Sequence, residues 1–353
     1  MGSTEAYGYF FKEKGVPLEK KPFTLDPPEG DAVIVKVAGC GLCHTDLGFI
    51  SGNVRTNSEL PLILGHEISG EVVAAGPDSQ GLLGKNVIIP AVLPCGECEL
   101  CKGGRGNICR RQKMPGNDFN GGFASHVAVP GHFLCVLPDD TGSFKVSQFS
   151  VIADAVTTPY QSLQRSNLKK GDLAVVIGVG GIGIYMAQLA GDAGATVIAI
   201  DIDETRLETA LEQGADFGIN SKDLSERDLR DKVRALVKEN KLAKYQWKIF
   251  ETSGTAAGQA IGFSLLTFAG TLGIVGFTMD KVPVRLSNIM AFDADVFGNW
   301  GCKPEHYPAV VAKVLDGSIN ILDNIEERPL DSINEVLPLA FDHKLSKRVV
   351  FVP

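Results

Sequence analysis

A cluster of four cysteines constrains the fold of this chain more than any other feature of its sequence. The spacing C-x2-C-x2-C-x7-C lets four thiolates converge on one point, as a tetrahedral zinc site with four sulfur ligands requires. Glycines and charged residues surround the cluster, so the segment has few apolar residues to bury. A bound metal would therefore stabilise a conformation that hydrophobic packing cannot. We therefore predict a structural zinc lobe over about residues 95–109, with the ligands Cys95, Cys98, Cys101 and Cys109.

Two other uses of four cysteines are weaker explanations of this cluster. Two disulfides are uncommon in a long chain of cytosolic character that shows no secretory signal. An iron–sulfur cluster also takes four thiolates, but a proline usually follows the last cysteine of the bacterial pattern, and Arg110 stands there. A closed four-thiolate zinc site has no open coordination position, so we expect no chemistry at the lobe.

Length, composition and charge limit the class of protein. With 353 residues, of which 44% are hydrophobic and 22% charged, the chain can form two globular domains. A net charge of −8 without a basic run argues against nucleic acid or a membrane surface as a partner. No apolar stretch reaches transmembrane length and residues 1–10 lack signal-peptide features, so we expect a cytoplasmic protein.

The hydrophobic pattern divides the chain near residue 150. Before it, short β-rich runs separated by Gly, Pro and Asp indicate a partly open β-barrel. These runs lie at 31–38, 70–75, 85–89 and 123–129.

After residue 150, strand-like and helix-length segments alternate. The run 173–177 is continuously apolar, as in a buried parallel strand, and a second strand at 196–200 follows a helix-length segment. The alternation continues through 246–250 and 271–275, which predicts a doubly wound parallel sheet. A helix over 307–315 and a strand over 348–352 form a tail that we expect to return to the first domain.

A glycine-rich sequence directly follows the apolar run 173–177 and satisfies G-x-G-x-x-G. Between a buried strand and a helix, such glycines allow a tight turn and bring a pyrophosphate to the helix N-terminus. Asp201 ends the next strand and can accept from the adenosine ribose hydroxyls while repelling a 2′-phosphate, which favours NAD over NADP. Arg206 either lies near that ribose or is a solvated helix charge. The alternative to a dinucleotide site is a glycine-rich turn that binds no ligand. The glycines are Gly178, Gly180, Gly181 and Gly183.

A second set of metal-binding residue types lies in the loops of the first domain. Cys43 and His66 each follow a strand-like run, and a thiolate and an imidazole are donors that zinc accepts in catalytic sites with three protein ligands. Two residues from separate loops do not by themselves establish such a site. Asp154, among apolar and small residues, either has a metal as its partner or caps a helix.

Together these motifs resemble the zinc-dependent, medium-chain alcohol dehydrogenase family over essentially the whole chain. The resemblance implies an α/β protein with a GroES-like β-barrel catalytic domain (1–155), a Rossmann coenzyme domain (156–297) and a C-terminal return to the first domain (298–353). It also implies NAD and two zinc ions per chain, and an assembly of two or four copies.

The resemblance implies a ligand set for the catalytic zinc. Cys43, His66 and Asp154 match its ligand positions, and Glu67 matches a neighbouring acidic residue that supports the metal or exchanges onto it. This sequence departs from the family at two positions. Asp154 stands where a cysteine is common, which gives the metal a harder donor of the same charge. Gly48 stands where some members carry a histidine that passes the proton to water.

The resemblance also implies roles for residues around the metal and the coenzyme. Thr45 matches the hydroxyl that takes the substrate proton, and Asp46 matches the carboxylate that orients the ligand histidine. His44 and Arg348 match positions that contact the coenzyme pyrophosphate, and Thr158 matches one near the nicotinamide.

Several segments are similar to a narrower group within that family. That group oxidises a ring hydroxyl carried on a CoA thioester, 6-hydroxycyclohex-1-ene-1-carbonyl-CoA, with NAD in anaerobic aromatic degradation. A generic NAD-dependent secondary alcohol dehydrogenase and a non-catalytic nucleotide-binding redox sensor are the alternatives. A zinc-free enoyl reductase of the same superfamily would lack the four-cysteine lobe. The similar segments are 114–118, 121–126, 153–160, 253–258, 275–280 and 298–302.

Overall fold

The computed structural model describes residues 2–353, which form two compact units. The first unit comprises the chain up to Thr157 together with Gly301–Leu315 and Ile321–Pro353, and the second comprises Thr158–Trp300 and Asp316–Asn320.

The described residues form strands and helices in the following order. The strands are β1 (Thr4–Phe11), β2 (Glu19–Leu25), β3 (Ala32–Gly41), β4 (Leu62–Ile63), β5 (Glu67–Ala75), β6 (Asn86–Ile89), β7 (His126–Pro130), β8 (Cys135–Val136), β9 (Leu173–Ile177), β10 (Thr196–Asp201), β11 (Phe217–Asn220), β12 (Lys248–Glu251), β13 (Thr271–Ile274), β14 (Asp295–Gly298), β15 (Ile325–Pro329) and β16 (Arg348–Val352). The helices are α1 (His44–Ile50), α2 (Glu99–Lys102), α3 (Thr157–Ser166), α4 (Gly183–Asp192), α5 (Glu204–Glu212), α6 (Glu226–Glu239), α7 (Ala256–Ser264), α8 (Ser287–Phe292), α9 (Tyr307–Leu315) and α10 (Ile333–Phe341).

The first unit is built mostly on antiparallel strands, and only the pair β15–β16 is parallel among the strands of its described residues. One sheet has the order β15-β16-β3-β5-β6-β8, with β7 also paired to β3, and a smaller sheet has the order β2-β1-β4. Val33, Val35 and Ile68, on the predicted β-rich strands β3 and β5, are fully buried in its core. Strand β16 pairs with β3 through Val350 and Phe351, so the C-terminal tail completes the sheet.

The second unit is a six-stranded parallel sheet of order β11-β10-β9-β12-β13-β14. In this doubly wound order, the strand order reverses between β9 and β12, where ligands of such sheets bind at the carboxyl ends. All five residues of β9 are buried, as the continuous apolar run predicts. The predicted fold class, a GroES-like domain with a Rossmann parallel sheet, is confirmed.

The tail does not return to the first unit as a whole. Asp316–Asn320 packs with the second unit, because the amide of the buried Gln188 on α4 accepts from the Asn320 N–H at 2.7 Å and donates to the Asn320 carbonyl at 3.2 Å. These two hydrogen bonds attach to the second unit a short segment that the resemblance assigns to the C-terminal return. Among residues 2–353, no helix is long and apolar enough to cross a membrane.

Candidate metal centres and coenzyme loop

The four cysteines of the lobe converge around one point. Their Sγ atoms lie 3.4 Å (Cys98–Cys101), 3.5 Å (Cys95–Cys109), 3.7 Å (Cys98–Cys109) and 3.9 Å (Cys95–Cys101) apart. Four sulfurs bound to one zinc at about 2.3 Å lie about 3.8 Å apart, so the lobe has the dimensions of such a site. A disulfide needs about 2.0 Å, and all four cysteines are free thiols, so the two-disulfide alternative does not fit.

Backbone N–H groups and the Arg111 side chain support the sulfur atoms of the lobe. Helix α2 begins directly after Cys98 and carries Cys101, and the Cys95 N–H lies 3.5 Å from Cys109 Sγ. The backbone N–H of Glu97 lowers the pKa of the Cys95 thiol to about 6, whereas burial raises the pKa of Cys101 to about 12. Part of the lobe is therefore ready to bind a cation at neutral pH, and part must lose protons to do so.

Cys43, His66 and Asp154 come together from distant parts of the chain. Asp154 Oδ2 lies 3.8 Å from Cys43 Sγ and 3.8 Å from His66 Nε2. A carboxylate oxygen of Glu67 joins them, and the four ligand atoms lie within 4.8 Å of one another. Zinc with these donors holds its ligand atoms about 3.3–3.8 Å apart, so the residues present fit one ion. Asp154 belongs to this cluster, and α3 begins three residues later.

Neighbouring strands place two of these ligands side by side. Cys43 follows β3 and His66 precedes β5, and the two strands are antiparallel neighbours with Gly41 opposite Glu67. The loops that leave the paired ends therefore meet.

Asp46, in the first turn of α1, fixes both of these loops. Its fully buried carboxylate accepts the Cys43 N–H at 3.0 Å and the Gly65 N–H at 3.1 Å, and it lies 3.3 Å from His66 Nδ1. This arrangement holds Cys43 and orients the imidazole so that Nε2 points toward Asp154.

The electrostatics of the cluster favour a cation. Burial alone would lower the pKa of the His66 imidazole, but the charges of Asp46 and Cys43 and hydrogen bonds to Asp154 and Asp46 hold that pKa well above its usual range. The anionic side chains thus draw positive charge to this position, which is the role that a divalent metal performs.

Glu67 and Arg348 form a buried ion pair beside the cluster. Arg348 Nη1 donates to Glu67 Oε1 at 2.8 Å and to the Leu42 carbonyl at 3.2 Å, while Glu67 Oε2 is buried without a hydrogen-bond partner. Burial raises the pKa of the Glu67 carboxyl to about 7 in spite of the Arg348 guanidinium. Sequence reasoning did not predict this pair, since nothing in either motif indicates it. The predicted contact of Arg348 with pyrophosphate stays a prediction.

Thr45 and His44 lie at the exposed edge of this site. Thr45 Oγ1 is 3.8 Å from Cys43 Sγ, so an accessible hydroxyl stands next to a candidate metal ligand. The His44 ring stacks on that of His343, with 5.8 Å between the centroids and 19° between the planes. Sequence reasoning missed His343, which belongs to no motif and comes near only through the fold of the tail.

The glycine loop of the second unit has the geometry of a dinucleotide fingerprint. Gly178 follows β9 with φ +82°, and a side chain there would meet the Ser253 backbone at 2.6 Å. A Cβ at Gly183, where α4 begins, would overlap the Gly178 carbonyl. Gly180 and Gly181 lie between them, so the turn leaves backbone free for a phosphate to approach the helix N-terminus.

Asp201 and Arg206 both reach this loop. One Asp201 carboxylate oxygen accepts the Val179 N–H at 2.8 Å, and the other accepts the Ile202 and Asp203 N–H groups at 2.8 and 3.0 Å. The Arg206 guanidinium lies 3.5 Å from the position that a Cβ on Gly180 would occupy. Arg206 therefore lies beside the loop, and its contact with the ribose stays a prediction.

A buried glutamate, missed from the sequence, supports the turn after β12 that lies against Gly178. Glu251, at the carboxyl end of β12, is fully buried, and its Oε1 accepts the N–H groups of Ser253 at 2.8 Å and Gly254 at 3.1 Å. An acidic residue directly after an apolar strand was the available signal. Thr158, predicted near the nicotinamide, is buried on α3 in the same unit, and its carbonyl accepts from Asn299 at 3.2 Å.

Comparison with known proteins agrees with both parts of the chain. Residues 29–139 match the alcohol dehydrogenase GroES-like domain, and residues 181–316 match the zinc-binding dehydrogenase family. An uncharacterized zinc-type alcohol dehydrogenase-like protein of Haemophilus influenzae is 30% identical over 85% of this chain and 84% of its own length. An alcohol dehydrogenase of Geobacillus stearothermophilus is 27% identical over 95% of this chain and 96% of its own length.

A solved structure agrees with these sequence matches. The crystal structure of an alcohol dehydrogenase from Aeropyrum pernix is 27% identical, covers 98% of this chain and 100% of its own, and has a TM-score of 0.87. The chain belongs to the zinc-type, medium-chain alcohol dehydrogenase family, and it is an oxidoreductase that acts on CH–OH groups of small molecules.

Proposed function

We propose that this chain catalyses the NAD-dependent oxidation of a ring secondary alcohol carried on a CoA thioester. The overall reaction converts the CH–OH group of 6-hydroxycyclohex-1-ene-1-carbonyl-CoA to a ketone, transfers a hydride to NAD+ and releases one proton. The observation that carries the oxidation chemistry is the convergence of Cys43, His66 and Asp154 beside the Thr45 hydroxyl.

Two zinc ions have separate tasks in this proposal. Cys43, His66 and Asp154 hold one ion, and when bound it supplies a Lewis acid that lowers the pKa of a hydroxyl, as it lowers that of water from 15.7 toward about 7. The four cysteines of the lobe hold the other, which is structural because its ligand set is closed.

The chain's own residues orient the site and move the proton. The exposed Thr45 hydroxyl accepts the proton of the substrate hydroxyl and passes it outward. Asp46 keeps Cys43 and His66 in place through its backbone and imidazole contacts. Glu67, whose Oε2 has no hydrogen-bond partner, is available as an exchange ligand.

NAD is the proposed coenzyme because acidic groups surround the end of β10. Asp201 is held rigidly by three backbone N–H groups, and Asp203 lies two residues on at the N-terminus of α5, where a 2′-phosphate would be repelled. Comparing kcat/KM for NAD and NADP tests this choice, and a preference for NADP would contradict it.

The CoA-thioester substrate is supported by the segments similar to 6-hydroxycyclohex-1-ene-1-carbonyl-CoA dehydrogenase. The hydroxyl carbon of that substrate is allylic and β to the thioester carbonyl, so positioning and charge stabilisation are most of what the protein must supply. We place the chain in anaerobic aromatic degradation on this basis, and in the cytoplasm.

NADH formation with the CoA thioester and with free cyclohexenols tests the substrate. We expect kcat/KM for the thioester to exceed that for the free alcohols by at least about 100-fold. In Asp154→Ala the rate with the thioester should fall by about 1,000-fold or more, because removing a ligand removes the metal. Asp139→Ala, whose side chain is 92% exposed and pairs with Lys85, is the matched control and should keep the wild-type rate.

The alternatives predict different outcomes of the same experiment. Efficient turnover of free alcohols would favour a generic secondary alcohol dehydrogenase, as the similarity to simple alcohol dehydrogenases suggests. One zinc per chain and no turnover of any alcohol would favour a nucleotide-binding redox sensor.

We also propose that the chain assembles with copies of itself as a dimer or tetramer. Strand β14 is the edge of the parallel sheet, and large apolar side chains near it are exposed. Sedimentation analysis tests this, and a monomer at micromolar concentration would contradict it. The exposed side chains are Phe277, Met279, Leu286, Met290, Val296 and Trp300.

A further inference from the structure

The third metal-binding side chain of the proposed catalytic site leaves from an irregular piece of backbone. Asp154 has φ −141° and ψ −55° and directly follows the 3-10 helix Val146–Ala153. Asp46, which fixes the loops of Cys43 and His66, lies on α1, a different element. The position of Asp154 therefore requires a support of its own.

A tyrosine from the C-terminal tail provides such a support. Tyr307, the first residue of α9, is 1% exposed, and its hydroxyl donates to the Ala153 carbonyl at 2.5 Å. The Ala91 N–H points to the same carbonyl at 3.4 Å. The peptide that leads into Asp154 is thus held by a side chain 154 residues away from Ala153.

We propose that Tyr307 is a positioning residue for the catalytic metal site, and that it acts by fixing the Ala153 carbonyl from which Asp154 reaches Cys43 and His66. The inference rests on the proposed function, because it assumes that these three residues bind a metal. It gives the returning tail a task beyond completing the sheet.

The geometry explains why one hydroxyl matters here. Metal–ligand distances are tolerated within about 0.2 Å, so a small shift of the Ala153–Asp154 peptide moves the carboxylate out of range. Groups that orient metal ligands typically change metal affinity by 10- to 100-fold when they are removed. A buried tyrosine hydroxyl also needs a partner in any core, so a purely structural role is the competing explanation.

Zinc release separates the two explanations. A chromogenic chelator is added to the wild type and to Tyr307→Phe, and the release of each of the two zinc ions is followed with time. We expect one zinc to leave about 10- to 100-fold faster in Tyr307→Phe, with the second unchanged. The ring is retained, so the variant should fold, and thermal midpoint and coenzyme binding verify this.

Tyr9→Phe is the matched control. It removes a tyrosine hydroxyl that donates to Asp331 at 2.9 Å in the same unit but touches none of the proposed ligands. We expect wild-type release of both zinc ions. Equal release rates in wild type, Tyr307→Phe and Tyr9→Phe, or acceleration of both zinc ions in Tyr307→Phe, would overturn the inference.

A double-mutant comparison tests whether Tyr307 acts through Asp154. Asp154→Ala should already lack the zinc of this site, so the further change Tyr307→Phe should leave release of the remaining zinc unaltered, whereas an independent structural effect would speed that release. The same series distinguishes the two levels of proposal. If Asp154→Ala releases zinc like the wild type, the proposed catalytic site itself fails. If Asp154→Ala loses this zinc and Tyr307→Phe releases both zinc ions at the wild-type rate, the positioning role of Tyr307 fails alone.

Discussion

The lobe of four cysteines and the site around Cys43 lie in the same unit but are built in different ways. The lobe takes its donors from 15 consecutive residues, and three of its four cysteines are only partly buried. The other site collects Cys43, His66 and Asp154 from loops up to 111 residues apart, with a fully buried carboxylate behind them. Backbone N–H groups support the sulfur atoms of the lobe. The site of Cys43, His66 and Asp154, called the mixed site below, is supported by Asp46 and, in our proposal, by Tyr307 of the tail.

This difference indicates whether the fold depends on the metal or metal binding depends on the fold. A short, glycine-rich segment cannot bury enough apolar surface to fix its own shape, so the lobe should need its metal to fold. The mixed site is assembled by strands and helices that are stable for other reasons, so its metal should depend on the fold. Loss of metal should therefore damage the structure in one case and only the chemistry in the other.

The largest effect is expected from removing a lobe ligand. Cys109 is fully buried and its Sγ lies 3.5 Å from Cys95 Sγ and 3.7 Å from Cys98 Sγ. In Cys109→Ser we expect one zinc instead of two and a loss of about 4 kcal/mol or more in unfolding free energy, because a structural metal is lost. Metal analysis and limited proteolysis of the segment 95–109 measure both effects.

Cys135→Ser is the control for this change. Cys135 is 5% exposed and lies outside both clusters, so the same chemical substitution should keep two zinc ions and an intact lobe. If Cys109→Ser were as stable as Cys135→Ser, the lobe would fold without its metal and the contrast between the two sites would be lost.

A smaller, purely local effect is expected from Asp46→Asn. Both carboxylate oxygens of Asp46 accept N–H groups, and the amide nitrogen of Asn cannot accept, so either Cys43 or Gly65 loses its partner. We expect the zinc at the mixed site to bind about 10- to 100-fold more weakly while the lobe keeps its zinc. Chelator competition measures the two affinities separately.

Asp331→Asn provides the comparison for this substitution. Asp331 accepts hydrogen bonds from Tyr9 and Lys20 in the same unit, and we expect no change in either zinc affinity. Weakening of both zinc sites by Asp46→Asn would show a general loss of structure instead of a local role.

The two sites were not equally predictable from the sequence. The lobe is local, and spacing alone predicts that its thiolates converge, as the Sγ separations bear out. The residue types alone did not decide whether Cys43, His66 and Asp154 form one metal site. Their approach depends on the pairing of β3 with β5 and on the 3-10 helix before Asp154. Only the family resemblance brought these three together.

The elements themselves followed the hydrophobic pattern closely. The predicted strands at 173–177 and 348–352 coincide with β9 and β16, because a buried strand in either sheet is a short apolar run between turn residues. Individual polar contacts between distant residues could not be predicted from the sequence. The pairs Tyr307–Ala153 and Glu67–Arg348 join residues 154 and 281 positions apart, and no periodicity indicates such distant partners.

Acidification should separate the sites by the number of protons that compete with zinc. The lobe binds through four thiols, and among them the pKa of Cys95 is lowered to about 6 while burial raises that of Cys101 to about 12. The mixed site must deprotonate one thiol and His66, whose pKa is raised. Protonated donors do not bind, so affinity is full at high pH and lost as pH falls at both sites.

We expect the lobe to lose affinity more steeply, because it has four thiol donors where the mixed site has one thiol and one imidazole. Chelator competition between about pH 8 and pH 6 measures the slopes, with Asp154→Ala isolating the lobe and Cys109→Ser isolating the mixed site. Equal slopes of zinc affinity against pH would mean that the two metal-free sites bind the same number of protons. That result would contradict the prediction made from their different donors.

The smallest effect is expected from exchanging the donor type at the mixed site. Asp154→Cys keeps the charge and replaces an oxygen by a sulfur that stands one bond closer to the backbone, but zinc–sulfur bonds are longer, about 2.3 Å against 2.0–2.2 Å for oxygen. The longer bond makes up only part of the difference, but cysteine is the common residue at this position in the family, so a sulfur there should reach the metal that Cys43 and His66 hold after the Ala153–Asp154 peptide has adjusted. We expect two zinc ions and a change of less than about tenfold in kcat, with the absorption bands of the cobalt-substituted protein shifted by the added thiolate. If Asp154→Cys instead behaved like Asp154→Ala, the site would accept only a carboxylate, and its support by Asp46 and the tail would be more rigid than the comparison with the lobe implies.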